Sequence, residues 1–402
     1  MPWQLLPGFN IVKGFMAAAK KKSFGFKKMV GWLHLVLGLS SGLVIVLLGI
    51  TGCILAFEQE IRSVTQPAFY TAEKNQPVLP PTILRANAEK VLDGHVANGI
   101  EYPGAGKSAI VSYYDADHYY MVALDPYTGE VKQKKNMNRD FFRVVLDGHF
   151  YLWLPAPIGQ PIIASATLIF LVMLITGIIL WWPKNKAAAK QRFSIKWSAR
   201  WRRKNYDLHN VLGFYMSWIG IILAITGLVW GFQWFADSFY WVTNGASGPG
   251  EQVFASSDTM HVSDARQGVM DSVWSLTKKQ VKADESISVY FPSGNTGTVE
   301  VSVNHRPGTY YNTEGNSFDQ YTGKRLVTKG TYAGKFSDAK LADQIKRMNY
   351  DIHVGAVLGI PGKILMFCAS LIAASLPVTG FYIWWGRRKK KPVPKILERA
   401  AA

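Results

Sequence analysis

Cysteine is scarce in this 402-residue chain, where Cys53 and Cys368 are the only two. Both fall inside long apolar runs, so no disulfide framework is implied. Nucleotide fingerprints are missing as well. Gly106-Lys107-Ser108 has the ending of a phosphate loop, but Glu101 stands where the first Gly is needed, and the stretch is expected outside the cell membrane. Acidic residues are few, 27 against 45 Lys and Arg. Ile50-Thr51-Gly52-Cys53 loosely resembles a lipoprotein cleavage site, but the basic region before it is too long for a signal peptide, and the first apolar run is read as uncleaved.

What the chain has in quantity is apolar surface: 49% of its residues are apolar, with 14 Trp and 21 Phe, which points to the bilayer as one of its solvents. Four runs of 22 to 25 residues contain no Asp, Glu, Lys, Arg or His: Leu35–Phe57, Pro161–Trp182, Val211–Phe235 and Ile364–Trp385. About 20 such residues suffice to cross a bilayer. The net charge of +18 would suit nucleic acid if it were spread along the chain, but it is concentrated in three places. Six Lys lie in 1–34, nine Lys and Arg in 183–209 and seven in 386–402, with Asp207 and Glu398 the only acids among them. Because short Lys/Arg-rich segments stay in the cytoplasm, both termini and the central loop are expected there, and the two long polar segments outside. Lipid is then the expected partner of this charge, and nucleic acid is not.

The sequence repeats itself. His34 precedes Thr51-Gly52 by 17 residues, and His209 precedes Thr226-Gly227 by 17. Thr176-Gly177 leads to Trp181-Trp182, and Thr379-Gly380 to Trp384-Trp385, again at one shared spacing. Leu124-Asp125-Pro126-Tyr127-Thr128-Gly129-Glu130 corresponds to Phe318-Asp319-Gln320-Tyr321-Thr322-Gly323-Lys324. Each unit holds two spans, so both copies enter the membrane in the same sense, with a pseudo-two-fold axis along the membrane normal. The expected fold is an α-helical membrane protein: a four-helix transmembrane bundle from a tandem parallel duplication, carrying two α+β modules outside. The expected divisions are a cytoplasmic N-terminus (1–34), spans at 35–57, 149–182 with its lead-in, 210–235 and 353–385 with its lead-in, outer modules at 58–148 and 236–352, a cytoplasmic loop (183–209) and a cytoplasmic tail (386–402). In the modules, Thr82–Leu92 and Val262–Lys282 look helical, and Ala109–Tyr114, Tyr119–Leu124, Ser286–Phe291 and Thr298–Val303 look like strands. The Asp-x-Tyr-Thr-Gly signal reads as a turn.

Four of the eight His lie on segments that enter the membrane. His34 and His209 precede the first and third spans on the cytoplasmic side. His149 and His353 precede the second and fourth on the outer side, ahead of Leu154-Pro155-Ala156-Pro157 and Ile360-Pro361-Gly362, which should break or kink the entering helix. The duplication sets His34 opposite His209 and His149 opposite His353. Two imidazoles facing each other can ligate a flat cofactor from both sides, and two b-type haems suit such pairs, because no Cys-x-x-Cys-His offers covalent attachment and no carboxylate joins the set. Simple interfacial histidines near helix starts are the competing reading. Thr51-Gly52 and Thr226-Gly227 are expected near the outer side with His149 and His353, and Thr176-Gly177 and Thr379-Gly380 near the inner side with His34 and His209; Gly52, Gly177, Gly227 and Gly380 would there leave room for a macrocycle, although close helix packing explains them equally well. Asp147, Asp207 and Asp351, each two residues before its His, read as helix N-caps, or otherwise as partners that orient the imidazole. Trp181-Trp182 and Trp384-Trp385 read as interfacial anchors. His95, His118, His261 and His305 lack metal-like spacing and are expected at the surface.

Tyr206-Asp-Leu-His-Asn-Val-Leu-Gly-Phe214, Asp351-Ile-His-Val-Gly-Ala-Val-Leu-Gly-Ile-Pro-Gly-Lys363 and the Thr-Gly-x-x-x-Trp-Trp endings resemble the PepSY-associated transmembrane proteins, and among them the FoxB-type ferric-siderophore reductases of Gram-negative inner membranes. The resemblance spans nearly the whole chain. It implies PepSY modules in the periplasm, b-type haem in the membrane and reduction of ferric siderophore. The first span departs from the pattern, with Trp32 where the other three have Asp. The expected function is thus a di-haem electron conduit that takes electrons from quinol or a cytoplasmic reductase. A siderophore or metal-ion transporter, which haem content would distinguish, is one alternative. A regulatory or anchoring protein, which would work with all four His replaced, is the other. Reporter fusions after residue 195 and at the C-terminus should read cytoplasmic and those near residues 100 and 300 periplasmic; a cytoplasmic signal at residue 100 would overturn this orientation.

Overall fold

The computed structural model describes residues 25–183, 185, 186, 189, 192–248, 250–261 and 266–388. Most of the basic N-terminus and the basic tail beyond residue 388 lie outside the described residues. In chain order the helices are α1 (Phe26–Ala56), α2 (Glu58–Thr65), α3 (Pro81–Glu89), α4 (Phe141–Tyr151), α5 (Ala156–Trp181), α6 (Trp201–Gly231), α7 (Gln233–Thr243), α8 (Arg266–Lys278), α9 (Leu341–His353) and α10 (Ile360–Arg388). The strands are β1 (Gly99–Tyr102), β2 (Ala109–Tyr114), β3 (Tyr119–Leu124), β4 (Val131–Asn136), β5 (Ser286–Tyr290), β6 (Thr298–Asn304), β7 (Thr313–Asp319) and β8 (Arg325–Leu326).

Among the described residues four helices, α1, α5, α6 and α10, are long and apolar enough to cross a bilayer. A helix satisfies its own backbone groups where no water can, which is why apolar runs of this length adopt it. The four close into a ring in which α1 packs on α5 and α10, and α6 packs on the same two. Small residues set the closest approaches: a Cβ on Gly49 would stand 2.8 Å from Ala374 Cβ, and one on Gly231 would stand 2.9 Å from Ala164 Cβ. At mid-height Leu174, Met216, Ala369 and Ala373 fill the interior. The outer faces stay uncovered, with Leu43 at 83% exposure and Trp218 and Leu371 also exposed, as lipid contact requires. Two of these helices are matched in detail: α1 and α6 are each 31 residues long, with histidine ninth and Thr-Gly beginning at the twenty-sixth.

Outside the bundle the two polar segments do not form separate sheets. They share one eight-stranded antiparallel sheet in the order β4-β3-β2-β1-β5-β6-β7-β8, joined where Ile100 pairs with Val289 and Glu101 with Ser288. Alternation sorts the two faces. Ile100, Val111, Val122, Val289, Val299 and Val301 pack under α3 and α8 against Leu84, Leu92, Met270 and Trp274, while Glu101, Ile110 and Met121 turn toward the bundle. The four strands expected from sequence are present, and β1, β4, β7 and β8 were not expected, since each carries polar residues or glycine on at least one face. Both Asp-x-Tyr-Thr-Gly segments are turns of the same build: Asp125 Oδ1 accepts from Tyr127 N at 2.8 Å, Asp319 Oδ1 accepts from Tyr321 N at 3.0 Å, and Gly129 and Gly323 both have φ of 73°.

The sheet end of the bundle is fastened by charge. Asp140 caps α4 by accepting from Arg143 N at 3.2 Å, and it pairs with Arg62 and, at 2.5 Å, with Lys135. Burial works to raise the Asp140 pKa, but hydrogen bonds from Arg62 and Lys135 hold it at about 2, below the ordinary 3.8. Its contribution to stability is therefore present above about pH 4 and is lost as pH falls through about 2. Asp140→Ala, which leaves Arg62 with Glu58 alone and uncaps α4, should cost about 2 kcal/mol. Thermal unfolding of the detergent-solubilised protein should show this deficit at neutral pH, narrowing as the pH falls from 4 toward 2; equal melting at neutral pH would disprove the role.

Candidate functional site

All four membrane histidines are held in one way. His34 Nδ1 lies 2.9 Å from Thr176 Oγ1, His209 Nδ1 2.9 Å from Thr379 Oγ1, His149 Nδ1 2.8 Å from Thr51 Oγ1 and His353 Nδ1 2.8 Å from Thr226 Oγ1. Each threonine already donates its hydroxyl proton to the carbonyl four residues earlier, from Thr51 to Leu47, Thr176 to Val172, Thr226 to Ile222 and Thr379 to Ser375. A hydroxyl has one proton, so Oγ1 can only accept from the ring. Nδ1 therefore carries the ring proton in all four, and Nε2 presents its lone pair. That is the tautomer of a histidine ligand held by an outer partner.

The adjacent glycines stand beside these rings. A Cβ on Gly380 would lie 3.2 Å from His209 Cε1, on Gly177 3.4 Å from His34 Cε1, and on Gly52 or Gly227 3.7 Å from the Cε1 of His149 or His353. The tightest of these positions, Gly380, has no room for a side chain without moving its imidazole. Asparagines tighten two of the four clasps. Asn205 Nδ2 donates to Thr379 O at 3.0 Å and Asn349 Nδ2 to Thr226 O at 3.1 Å, each from one turn ahead of its histidine. Buried valines, Val30 and Val145, take the corresponding places before His34 and His149.

The histidines form two levels. Seventeen residues separate His34 from Thr51, or roughly 25 Å of helix. At the sheet end the rings of His149 and His353 have centroids 6.4 Å apart with planes at 72°. Two imidazoles bound end-on to one ion through bonds of about 2.0 Å place their centroids roughly 6 Å apart, so this spacing fits shared ligation. At the basic end His34 and His209 line an apolar cavity of about 440 Å³, together with Gly38, Gly42, Leu174 and Phe214. Two imidazoles per level are too few donors to enclose a metal ion by themselves, and the largely apolar lining of the cavity would suit an apolar group that brings further donors of its own.

Several expectations need correction. Asp147, Asp207 and Asp351 are not N-caps, because each lies inside its helix, nor do they orient the imidazoles, whose Nδ1 atoms go to threonine. Asp207 pairs with Arg203 at 2.8 Å, and buried Asp351 accepts from the backbone N–H groups of Tyr310 and Tyr311 at 2.8 to 3.0 Å. Trp181 is not an exposed anchor: it is buried and stacked on Phe214 at 3.7 Å, whereas Trp182 is exposed. His149 and His353 sit on the short helices α4 and α9. These are broken from the spans by Leu152 and Trp153, with φ of 57° and 56°, and by Gly355, with φ of 81°.

Sequence reasoning also missed a second cavity, of about 460 Å³, between the sheet and the bundle. Arg62, Lys107, Lys363, Glu58 and Glu101 line it with Tyr70, Tyr119, Tyr310 and Tyr350. Burial pushes the Glu101 carboxyl and the Tyr350 phenol up from their ordinary values. Aromatic contacts lead to it from the sheet-end pair: His353 to Trp230 at 5.3 Å, Trp230 to Tyr350 at 6.3 Å and Tyr350 to Tyr310 at 5.0 Å.

A family profile described as PepSY-associated TM region matches residues 31–387. No curated protein matches the chain. Replacing any one of Thr51, Thr176, Thr226 or Thr379 by Val should strand a buried ring N–H and cost about 1–3 kcal/mol, while Ser in the same place should be close to neutral. Thermal unfolding of the purified variants checks this, and equal effects of Val and Ser would show that the hydroxyl is not the partner.

Proposed function

We propose, on the premise that the chain belongs to the PepSY-associated TM family, that it is a di-haem electron-transfer protein of the bacterial inner membrane that reduces ferric siderophore in the periplasm. The observation that carries this reading is the common clasp on four histidines, which frees four Nε2 atoms in two facing pairs at two depths. Haem, when bound, supplies the one-electron carrier that the polypeptide lacks.

The chain's own part is to bind, orient and insulate. His34 with His209, and His149 with His353, are the assigned ligands, and Gly177, Gly380, Gly52 and Gly227 keep side chains away from their rings. The apolar walls of the bundle exclude water. The basic segments favour an orientation with both termini in the cytoplasm and the sheet in the periplasm. In that orientation the His34/His209 level is nearer the electron donor, a quinol or a cytoplasmic reductase. The sheet-end cavity opens beside the other level, and Arg62, Lys107, Lys363 and the tyrosines offer a ferric chelate cations and hydrogen-bond donors. Hard oxygen donors hold Fe(II) less tightly than Fe(III), so reduction there would release the metal.

Purified protein from haem-replete cells should contain two non-covalent b-type haems per chain, read from the absorption spectrum before and after dithionite. His149→Ala or His353→Ala should remove one haem and abolish ferric-siderophore reduction while the other haem remains reducible. His209→Ala should block entry from the donor yet leave a chemically reduced sheet-end haem competent. Haem-free protein would end this reading and favour a transport or anchoring role. Loss of only one haem in the His34→Ala, His353→Ala double variant would overturn the pairing.

A further inference from the structure

Taking up an electron is only half of what frees iron from hard oxygen donors. Each oxygen that lets go of the metal is left as a basic anion, and the release is complete only when that oxygen receives a proton. A site that performs this chemistry in an enclosed cavity needs an acid of its own. Among the described residues that line the sheet-end cavity, Glu58 and Glu101 are the two acids. Glu58 is already engaged, with Oε1 2.7 Å from Arg62 Nε. Glu101 is placed differently. Its strand neighbours Ile100 and Tyr102 turn into the core under α3 and α8, so Glu101 faces the bundle. Ile110 stands opposite it on β2 and Ser288 on β5, and Met121 and Met137 belong to the same cavity wall. Among the described residues its carboxyl has no hydrogen-bond or ion-pair partner.

The titratable groups around Glu101 are paired or hold their protons. Arg62 of α2 pairs with Glu58 and Asp140, and Lys363 of α10 pairs with Glu60 at 2.7 Å. Burial raises the phenols of Tyr119 on β3, Tyr290 on β5, Tyr310 before β7 and Tyr350 on α9. Tyr70 and Lys107 complete the set. The Lys107 charge favours the carboxylate but forms no ion pair with it, and burial outweighs it and pushes the carboxyl up. We propose that Glu101 is the acid of the reaction, giving its proton to an iron-bound oxygen of the chelate in the sheet-end cavity as the iron is reduced. This rests on the di-haem reductase reading and adds to it the proton and the substrate class, a chelate of hard oxygen anions of hydroxamate or catecholate type. One electron, delivered from the sheet-end level, converts Fe(III) to Fe(II). The Glu101 O–H bond breaks, an O–H bond forms on the chelator as that oxygen leaves the iron, and the carboxylate regains a proton from periplasmic water. The remaining donor oxygens take protons from water once the loosened chelate departs. Electron and proton together leave the charge of the cavity unchanged, which matters most where water is scarce.

Full-length haem protein, reduced with dithionite and freed of the excess, is mixed with ferric tris(acetohydroxamate), and haem reoxidation is followed together with Fe(II) trapped by ferrozine. Glu101→Gln should lower the limiting rate about a hundredfold and leave the chelate concentration for half-saturation unchanged. The deficit should be largest below the raised pKa of the carboxyl and close as pH rises past it, because the wild type has then lost the same proton. Glu101→Asp, which keeps an acid, should retain the fall of rate with rising pH. Ferricyanide takes an electron without a proton and should reoxidise all three proteins alike. An unchanged limiting rate in Glu101→Gln would overturn the assignment, as would an equal loss with ferricyanide or a change confined to half-saturation. If Glu101→Gln does not fold, the wild-type pH profile decides, since a fall with the chelate and none with ferricyanide is required. A wild-type protein that binds no haem, or whose haem ferricyanide reoxidises and the chelate does not, would instead sink the reductase reading beneath it.

Discussion

An imidazole placed within a bundle bathed in lipid must have its ring proton satisfied, and here a threonine of the neighbouring helix does this four times. The device works because the threonine spends its own proton on its own helix, which turns its oxygen into an acceptor and nothing else. Free rotation of the hydroxyl, the usual source of ambiguity, is thereby removed. At Gly380 the neighbouring glycine also keeps a methyl group from pressing on the His209 ring, whereas at Gly177, Gly52 and Gly227 a Cβ would only touch its imidazole.

The direction of these bonds divides the labour in the molecule. Each joins elements of one half of the chain: α1 to α5 through His34 and Thr176, α4 to α1 through His149 and Thr51, α6 to α10 through His209 and Thr379, and α9 to α6 through His353 and Thr226. The facing histidine pairs, by contrast, take one member from each half. The four clasps thus join elements within a half, while the histidine pairs face each other across the boundary between the halves. Joints between the halves include the packing of α5 on α6, with Gly231 against Ala164, the β1–β5 pairing, the Gly49 and Ala374 approach, and the Lys363 ammonium, 6% exposed and 2.7 Å from Glu60.

The junction between sheet and bundle is polar where both of its parts are apolar inside. Asp351 receives the backbone of Tyr310 and Tyr311, so the loop from the sheet is fixed to the helix that carries His353. Arg62 and Asp140 do the same between α2 and the helix that carries His149. Breaking one partner of such a pair strands a poorly solvated charge, which makes the junction stiff even where the net gain from the pair is small. The 460 Å³ cavity lies within this fixed frame, next to the sheet-end histidines.

The sequence alone determined the four long helices, because an uninterrupted apolar run has only one way to satisfy its backbone in lipid. It also determined the recurring His and Thr-Gly spacing, and the Asp-x-Tyr-Thr-Gly turns, whose glycines need φ above zero. It set the Thr-Gly pairs at the depth of the histidines, but not the bond from each ring to one threonine hydroxyl, since Thr51 and His149 lie 98 positions apart and Thr176 and His34 lie 142 apart. Local reasoning therefore gave the nearby aspartates a capping or orienting role that belongs to neither. The fusion of two polar segments into one sheet was equally hidden, because strand edges such as β1 and β5 carry no local mark of their partner. Only the tertiary structure decided which tautomer each ring adopts, that Trp181 is buried with an unanswered N–H, and that charged residues from distant segments line one cavity. These are properties of proximity across the fold, and periodicity along a chain does not encode them.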